Sequence, residues 1–356
     1  MFFASDNSGP AHPAIMQAMV DANEGYLMGY GQDDLTHAVQ ARIRQIFEAP
    51  RAAVHLVSTG TAANALLLAT LSHPWETIFC TPESHISEDE CNAVEAMSGG
   101  ASLSHVRSVG AKMTAETLAD ALETRGGGVH SPQRGPVSLT SVTELGTVYS
   151  PAEIAGITEV AGAYGLRTHL DGARFANALS VLGCTPAEMT WKAGIDAVSF
   201  GGTKNGCLAA EACIQFDPED SWQLELRRKR AGHLFSKHRT LSAQMQGYLA
   251  DDLWLELAGH ANRACARLVD GIRAAGLGDS FVAEPQANMI FVRWPRRLHA
   301  ALKAAGATYY ITEGSLEGAD PDALLTGRFV CDWSMTDTAV DTFISHLTQA
   351  VASGAA

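Results

Sequence analysis

Four short stretches carry side chains that could act together. The first, Ser58-Thr59-Gly60-Thr61-Ala62-Ala63-Asn64, follows an apolar run and opens a helical one. A helix start offers N–H groups without intrahelical acceptors and the positive end of the helix dipole, which suits a phosphate. Gly60 would allow close approach and Thr61 would add a hydroxyl, although an ordinary capped turn explains the same residues. The stretch is neither G-x-x-x-x-G-K-[ST] nor G-x-G-x-x-G, so the common nucleotide loops are not matched. The second, His169-Leu170-Asp171-Gly172-Ala173-Arg174, sets a carboxylate at a strand end. Such a group can hold the proton of a pyridine nitrogen; a loop salt bridge between Asp171 and Arg174 is the plainer alternative. The third, Gly201-Gly202-Thr203-Lys204-Asn205-Gly206, places one lysine in a glycine-rich loop after an apolar strand. Desolvated there, it would be a Schiff-base amine; otherwise it is a solvated loop lysine. The fourth is Ser84-His85, whose imidazole could stack on a flat aromatic ring or shuttle protons, or serve structure alone. Ligands of open α/β sheets gather beyond the carboxyl ends of the strands, where all four features fall. Phosphate turn, stacking imidazole, strand-end carboxylate and strand-end lysine together describe a site for pyridoxal 5′-phosphate (PLP).

The elements that must position these groups alternate between β-rich and helical runs. Strands are expected at 53–57, 77–80, 137–142, 166–170 and 196–200, with Asp171 just past the end of its strand. A helix should begin near Ala62. Ser150-Pro151-Ala152-Glu153 is a capping box with proline at the first helical position, and its helix should stop near Gly165. Thr185-Pro186-Ala187-Glu188 repeats the signal. Later come a helical region over 241–275, a strand over 288–292, a helix over 297–305, a strand over 328–333 and a helix over 337–352. The expectation is an α/β fold. A large PLP-binding domain with a mostly parallel sheet would occupy 1–250, and a small α+β domain 251–356.

Composition narrows the partners. The chain has 356 residues, with Lys+Arg 25 against Asp+Glu 39 and a net charge of −14. So acidic a surface argues against nucleic acid and anionic bilayers, and an anionic substrate must meet locally concentrated arginine or lysine. The Cys 7 total is odd and contains no C-x-x-C pair, which suggests free thiols in a reducing compartment. No basic, apolar leader opens the sequence, and the most apolar stretch, 62–71, is too short to span a bilayer. A cytoplasmic enzyme is expected, and no metal is called for.

The chain resembles the threonine aldolase family of fold-type I PLP enzymes, in the aspartate aminotransferase superfamily, over nearly its whole length. The resemblance rests on Ser5-Asp6-Asn7, Tyr30-Gly31-Gln32-Asp33-Asp34, TGTAAN at 59–64, Ser84-His85, HLDGARFAN at 169–177 and the lysine loop. TGTAANAL, CTPAEMTWKAGIDAVSFGGTKNG and RRKRAGHLFSKHRTLSAQ are most similar to the phenylserine aldolase branch. The resemblance implies that Lys204 bonds the cofactor, Asp171 holds its ring nitrogen, His85 stacks on the ring, and Gly60 and Thr61 hold the phosphate. Arg174 and Arg328 match arginines near the cofactor and the substrate carboxylate. Ser5 matches a serine of the substrate pocket, Tyr30 and Glu90 match active-site positions, and Lys229 matches a lysine sent from a neighbouring subunit. Two stretches depart from the family. Thr143-Glu144-Leu145-Gly146 puts Glu144 where a second histidine is usual. Gly232-His233-Leu234-Phe235-Ser236-Lys237 puts Ser236 where a phosphate-binding arginine is usual, with Lys237 as the substitute charge.

The implied reaction is retro-aldol cleavage of an L-β-hydroxy-α-amino acid, of phenylserine or threonine type, to glycine and an aldehyde. His85 is the first choice for the base that takes the β-hydroxyl proton; Glu144 and Glu90, directly or through water, are rivals. Arg174 and Arg328 would clamp the substrate carboxylate. The run Arg227-Arg228-Lys229-Arg230 reads either as a solvated helix face or as an interface. The latter implies a homodimer or homotetramer with shared active sites. The branch similarity and the missing histidine tilt the preference toward an aromatic β-substituent. Alternatives are a β-eliminating lyase or aminotransferase on the same fold, or a PLP-free protein that binds a phosphorylated ligand and uses Lys204 structurally.

Overall fold

Strands buried on both faces read as short apolar runs, and the computed structural model, which describes residues 1–355, builds its large sheet from such runs. Its strands are β1 (Ala53–Val57), β2 (Glu76–Cys80), β3 (Ser102–His105), β4 (Gln133–Thr140), β5 (Thr168–Gly172), β6 (Ala197–Gly201) and β7 (Glu211–Gln215). They lie in the order β1-β7-β6-β5-β4-β2-β3. Neighbours from β3 to β6 are parallel, while β7 runs antiparallel to both β1 and β6. The register sets Thr140, Asp171 and Ser199 side by side at the carboxyl ends of β4, β5 and β6. Because β7 is reversed, its first residue, Glu211, reaches the same edge and pairs with Gly201 and Val57.

Glycine is required where two of these ends meet. A Cβ on Gly201 would lie 2.4 Å from the Ala173 carbonyl oxygen, and one on Gly172 would lie 2.6 Å from that of Ser199. The chain therefore turns tightly into the lysine loop while β5 and β6 stay paired.

The second sheet contains β8 (Met289–Pro295), β9 (Tyr310–Glu313) and β10 (Leu324–Val330), antiparallel in the order β8-β10-β9. A core of Leu268, Ile290, Val292, Phe329 and Phe343 sits beneath it. Phe3 belongs to this core, with its ring 5.1 Å from that of Phe343. The Phe3 N–H donates to Thr308 O at 2.7 Å, and the Val330 N–H donates to Phe3 O at 2.9 Å. The N-terminal segment is thus fastened to the small sheet. The helix Leu253–Ala274 runs between the cores, burying Trp254 and Ala258 in the first and Leu268 and Ile272 in the second.

Several boundaries differ from expectation. Asp171 lies inside β5, and β4 begins four residues before the expected start at 137 and ends at Thr140. β10 starts four residues before and ends three residues before the expected 328–333 strand, because pairing with β8 over Met289–Pro295 fixes its register. The helical region over 241–275 is two helices, Arg239–Leu249 and Leu253–Ala274. Asp251 (φ 49) and Asp252 (φ 55) break it in the left-handed conformation that aspartate tolerates better than most residues. β3, β7 and β9 gave no clear signal; Ser102–His105 is too polar and β9 too exposed to read as strand. Helices Pro151–Ala163 and Pro186–Met189 carry the expected capping boxes, and Asp337–Ala352 matches its expected span. Among the described residues, no helix is long and apolar enough to cross a membrane.

Candidate active site

The carboxyl ends of β4, β5 and β6 and the start of the helix Gly60–Leu71 enclose a cavity of about 340 Å³. Gly60, Thr61, His85, Glu144, Asp171, Arg174 and Lys204 all line it. Four stretches scattered between residues 60 and 204 therefore converge as their strand-end positions required.

At one end, Thr59 caps the helix, its Oγ1 accepting the Ala62 N–H at 3.1 Å. The N–H groups of Gly60 and Thr61, in the first turn, have no intrahelical acceptor. A Cβ added to Gly60 would meet nothing within 4 Å, so the space before these donors is open. One turn further on, the Asn64 side chain reaches the opposite end. Its Nδ2 donates to Asp171 Oδ2 at 2.8 Å and to Glu90 Oε1 at 2.9 Å, and its Oδ1 accepts from Ser199 Oγ at 2.7 Å. Asp171 Oδ1 accepts the Ala173 N–H at 3.0 Å. A buried carboxylate with these two neutral partners still has lone pairs for a cationic N–H.

Glu90 also holds His85, with Oε1 and Nδ1 2.8 Å apart. This contact raises the His85 pKa against the opposing effect of burial. Burial raises the pKa of Glu90 itself, with a further push from Asp171. Glu144 Oε1 accepts the His85 backbone N–H at 2.8 Å, while its Oε2 is buried without a partner. Burial, then the nearby Asp171 charge, pushes the Glu144 carboxyl up to about 7.

Lys204 Nζ makes no hydrogen bond among the described residues. Burial, followed by repulsion from Arg174, lowers its pKa although Asp6, Asp171 and Glu211 pull the other way. That is the state a Schiff-base amine needs. Arg174 does not pair with Asp171; its partner is Asp6, with Nε to Oδ2 at 2.6 Å and Nη2 to Oδ1 at 2.9 Å. Asn288 Nδ2 adds a 3.2 Å bond to Asp6 Oδ2. Burial works against the Asp6 charge, but Arg174 and then Lys204 outweigh it and hold the carboxyl below its usual range.

The other expected residues sit elsewhere. Ser5 Oγ accepts the N–H of Asn7, and Asn7 rather than Ser5 lines the cavity. Arg328 lies close enough to feel Arg174, bonds Ala4 O through Nη2 at 3.1 Å, and rests over the Tyr310 ring. Its Nε is buried and unpartnered. Tyr30 and Lys229 lie together outside the cavity, with the ammonium 4.7 Å from the ring centroid, in a surface pocket shared with Trp222 and Leu226. Lys237 is exposed and does not line the cavity. Sequence reasoning missed the roles of Asp6, Asn64 and Glu211. Asn64 was legible as the residue one turn after Gly60, and Glu211 as an acid in the otherwise apolar run EACI.

An open helix-start cradle, a buried lysine of lowered pKa and a buried carboxylate in one cavity fit PLP, whose phosphate, carbonyl carbon and ring nitrogen would call for these three groups. Fold and site thus define a PLP-dependent enzyme. The chain belongs to the beta-eliminating lyase family, whose pattern matches residues 3–295. It is 39% identical over 331 residues to a low specificity L-threonine aldolase of Pseudomonas aeruginosa, covering 93% of this chain and 92% of the relative. A second low specificity L-threonine aldolase, from a Pseudomonas species, is 38% identical over 338 residues, with 95% and 94% covered. The structure of Leishmania major threonine aldolase superposes with a TM-score of 0.91 at 28% identity, covering 98% of this chain and 99% of that one. A PLP-bound serine palmitoyltransferase from S. paucimobilis shares the fold at a TM-score of 0.71 and 17% identity, covering 100% and 88%.

The Asp6–Arg174 pair makes a prediction about acid. A carboxyl held below its unfolded value contributes stability above that value and loses it as the pH falls through the folded one. Asp6→Asn should cost about 3 kcal/mol at neutral pH, since it strands the Arg174 charge. The gap between wild type and variant in urea unfolding should close as the pH drops below about 4. A gap that is independent of pH would refute the pairing.

Proposed function

We infer that this chain cleaves L-β-hydroxy-α-amino acids to glycine and an aldehyde, with PLP as cofactor. The observation that carries this reading is the unpartnered Lys204 amine sharing one cavity with Asp171 and the open Gly60–Thr61 cradle. The similarity to low specificity L-threonine aldolases selects the reaction among those the fold supports.

When bound, PLP supplies an electron sink for the pair left on Cα as the Cα–Cβ bond breaks. Asp171 keeps a proton on the ring nitrogen by favouring its cationic form, and Asn64 fixes that carboxylate. Gly60 and Thr61 anchor the phosphate, and Lys204 provides the neutral amine. Arg174 is locked by Asp6 through Nε and Nη2, and its Nη1 makes no hydrogen bond among the described residues. That group and Arg328 offer cationic donors for the substrate carboxylate.

For the β-hydroxyl base, Glu144 is favoured over His85, which the sequence puts first. Glu144 lines the cavity, has an unpartnered oxygen and a carboxyl pushed up to about 7, whereas His85 Nδ1 is engaged by Glu90. His85 is better suited to stacking on the cofactor, with Glu90 fixing its ring. Tyr30 and Lys229, on a face that also exposes Trp222 and Leu226, would serve the site of a second copy in a homodimer or larger assembly. All seven cysteines are free, which suits a cytoplasmic setting.

Incubating the PLP-loaded protein with L-threo-phenylserine and with L-threonine should yield glycine and aldehyde in equal amounts. Ammonia or a 2-oxo acid in place of glycine would point to a β-eliminating lyase or an aminotransferase. Glu144→Gln should lower kcat by roughly 10²–10⁴-fold, the usual scale of general-base catalysis. A base must be deprotonated to act, so wild-type kcat should rise with pH through about 7 and the variant should lose that limb. If the limb survives in Glu144→Gln and disappears in a His85 variant, the base is His85.

A further inference from the structure

One buried acid at the site has no part in the chemistry above. Glu211 is 5% exposed, lines the same cavity as Lys204, and forms no ion pair among the described residues. It stands at the reversed end of β7, opposite Gly201 on one side and Val57 on the other. From there its Oε2 accepts the Gly202 N–H at 3.1 Å and its Oε1 faces the Thr203 N–H at 3.4 Å. Both donors belong to the loop that presents Lys204, immediately before the lysine. Thr203 Oγ1 closes the arrangement by accepting the Ala210 N–H at 3.2 Å, from the residue preceding the glutamate.

The two N–H groups fall on different oxygens, which explains why the acceptor is an acid: a glutamine would turn its NH2 group, a donor, toward one of them. The carboxylate also shares its cavity with the Lys204 amine, whose charge state decides whether it can attack a carbonyl carbon.

We propose that Glu211 is the positioning residue of Lys204, holding the lysine loop through Gly202 and Thr203 and, by its negative charge in the same cavity, favouring the cationic form of the lysine nitrogen. Burial raises the Glu211 pKa to about 7 while its loop contacts and Lys204 pull it down, so either form is accessible near neutrality. The other charges facing Lys204 are Arg174, Asp6 and Asp171. Arg174 is neutralised by Asp6, and Asp171 serves the ring nitrogen. Packed around Glu211 are the Cys207 thiol and the Tyr248 hydroxyl, both held neutral by burial. Glu211 is therefore the carboxylate whose charge on Lys204 nothing else in the cavity offsets.

The proposal rests on PLP bonding Lys204, and its test separates the two. PLP-loaded wild type, Glu211→Gln and Glu211→Asp are titrated by the absorbance of the lysine-bound cofactor, and borohydride trapping with peptide mapping confirms Lys204 as the attachment point. Removing a carboxylate beside a cation lowers the pKa of that cation. Glu211→Gln should therefore keep the chromophore but lower its pKa by about one unit, a tenfold loss of proton affinity. Glu211→Asp should return part of that shift. An unmoved chromophore pKa in Glu211→Gln overturns the proposal and leaves the cofactor site standing. If the glutamine variant does not fold or load, Glu211→Asp decides: drawing the charge back by one methylene should still lower the chromophore pKa, and an unmoved value overturns the proposal. A wild type with no chromophore, or one trapped at another lysine, overturns the cofactor site and this proposal together.

Discussion

One primary amide governs the geometry of the site. Asn64 Nδ2 donates to two buried carboxylates at once, Asp171 at 2.8 Å and Glu90 at 2.9 Å. Without it, two like charges would face each other in a medium that screens poorly. Through Glu90 it also fixes His85, and through Ser199 it fixes itself to β6. Asn64 lies four residues beyond Gly60 on one helix, and a helix rises about 1.5 Å per residue. The cradle and the ring-nitrogen carboxylate are thus held about 6 Å apart along the axis by the stiffest element available, not by loops. The buried remainder of that helix, apolar except for Thr70, keeps the ruler in place.

The chain is acidic overall, and so is the cavity region. Asp6, Glu90, Glu144, Asp171 and Glu211 stand against Arg174, Lys204 and the adjoining Arg328. Burial sorts these groups into two kinds. Asp6 and Arg174 satisfy each other in a bidentate pair and stay charged. Glu90, Glu144 and Glu211 are pushed toward their protonated forms and Lys204 toward its neutral one, so the site stores mobile protons beside fixed charges. A reaction that removes a hydroxyl proton and frees an amine needs both kinds.

What the sequence displayed well was anything local to a strand end. The Gly60 turn, Ser84-His85, the Asp171 strand and the Lys204 loop each announced themselves because strand, turn and chemical group are contiguous. What it hid depends on partners far along the chain. Arg174 looked like a partner for Asp171 three residues away, but folding gives it Asp6, 168 residues away. β7 was hidden because a reversed strand directly behind a glycine loop carries no crossover helix to mark it, and Glu211 was hidden with it. The helical stretch over 241–275 was read as continuous because nothing in its periodicity foretells two aspartates in left-handed backbone. Tyr30 and Lys229 meet each other at the surface and not at the cavity, a contact that no local spacing in the sequence foretells.

The fastening of the first residues to the small sheet also bears on how the protein is made. Asp6 needs Asn288, Ala4 needs Arg328, and Phe3 needs Val330, at sequence separations of 282, 324 and 327 residues. Residues 3–6 therefore have no place to dock until the chain has been synthesised past Val330. Contacts spanning such distances are slow to form, because closing the loop costs entropy before any contact repays it. In the large sheet β2 to β6 can pair as they emerge, whereas β1 must wait for β7 and Arg174 for the return of Asp6.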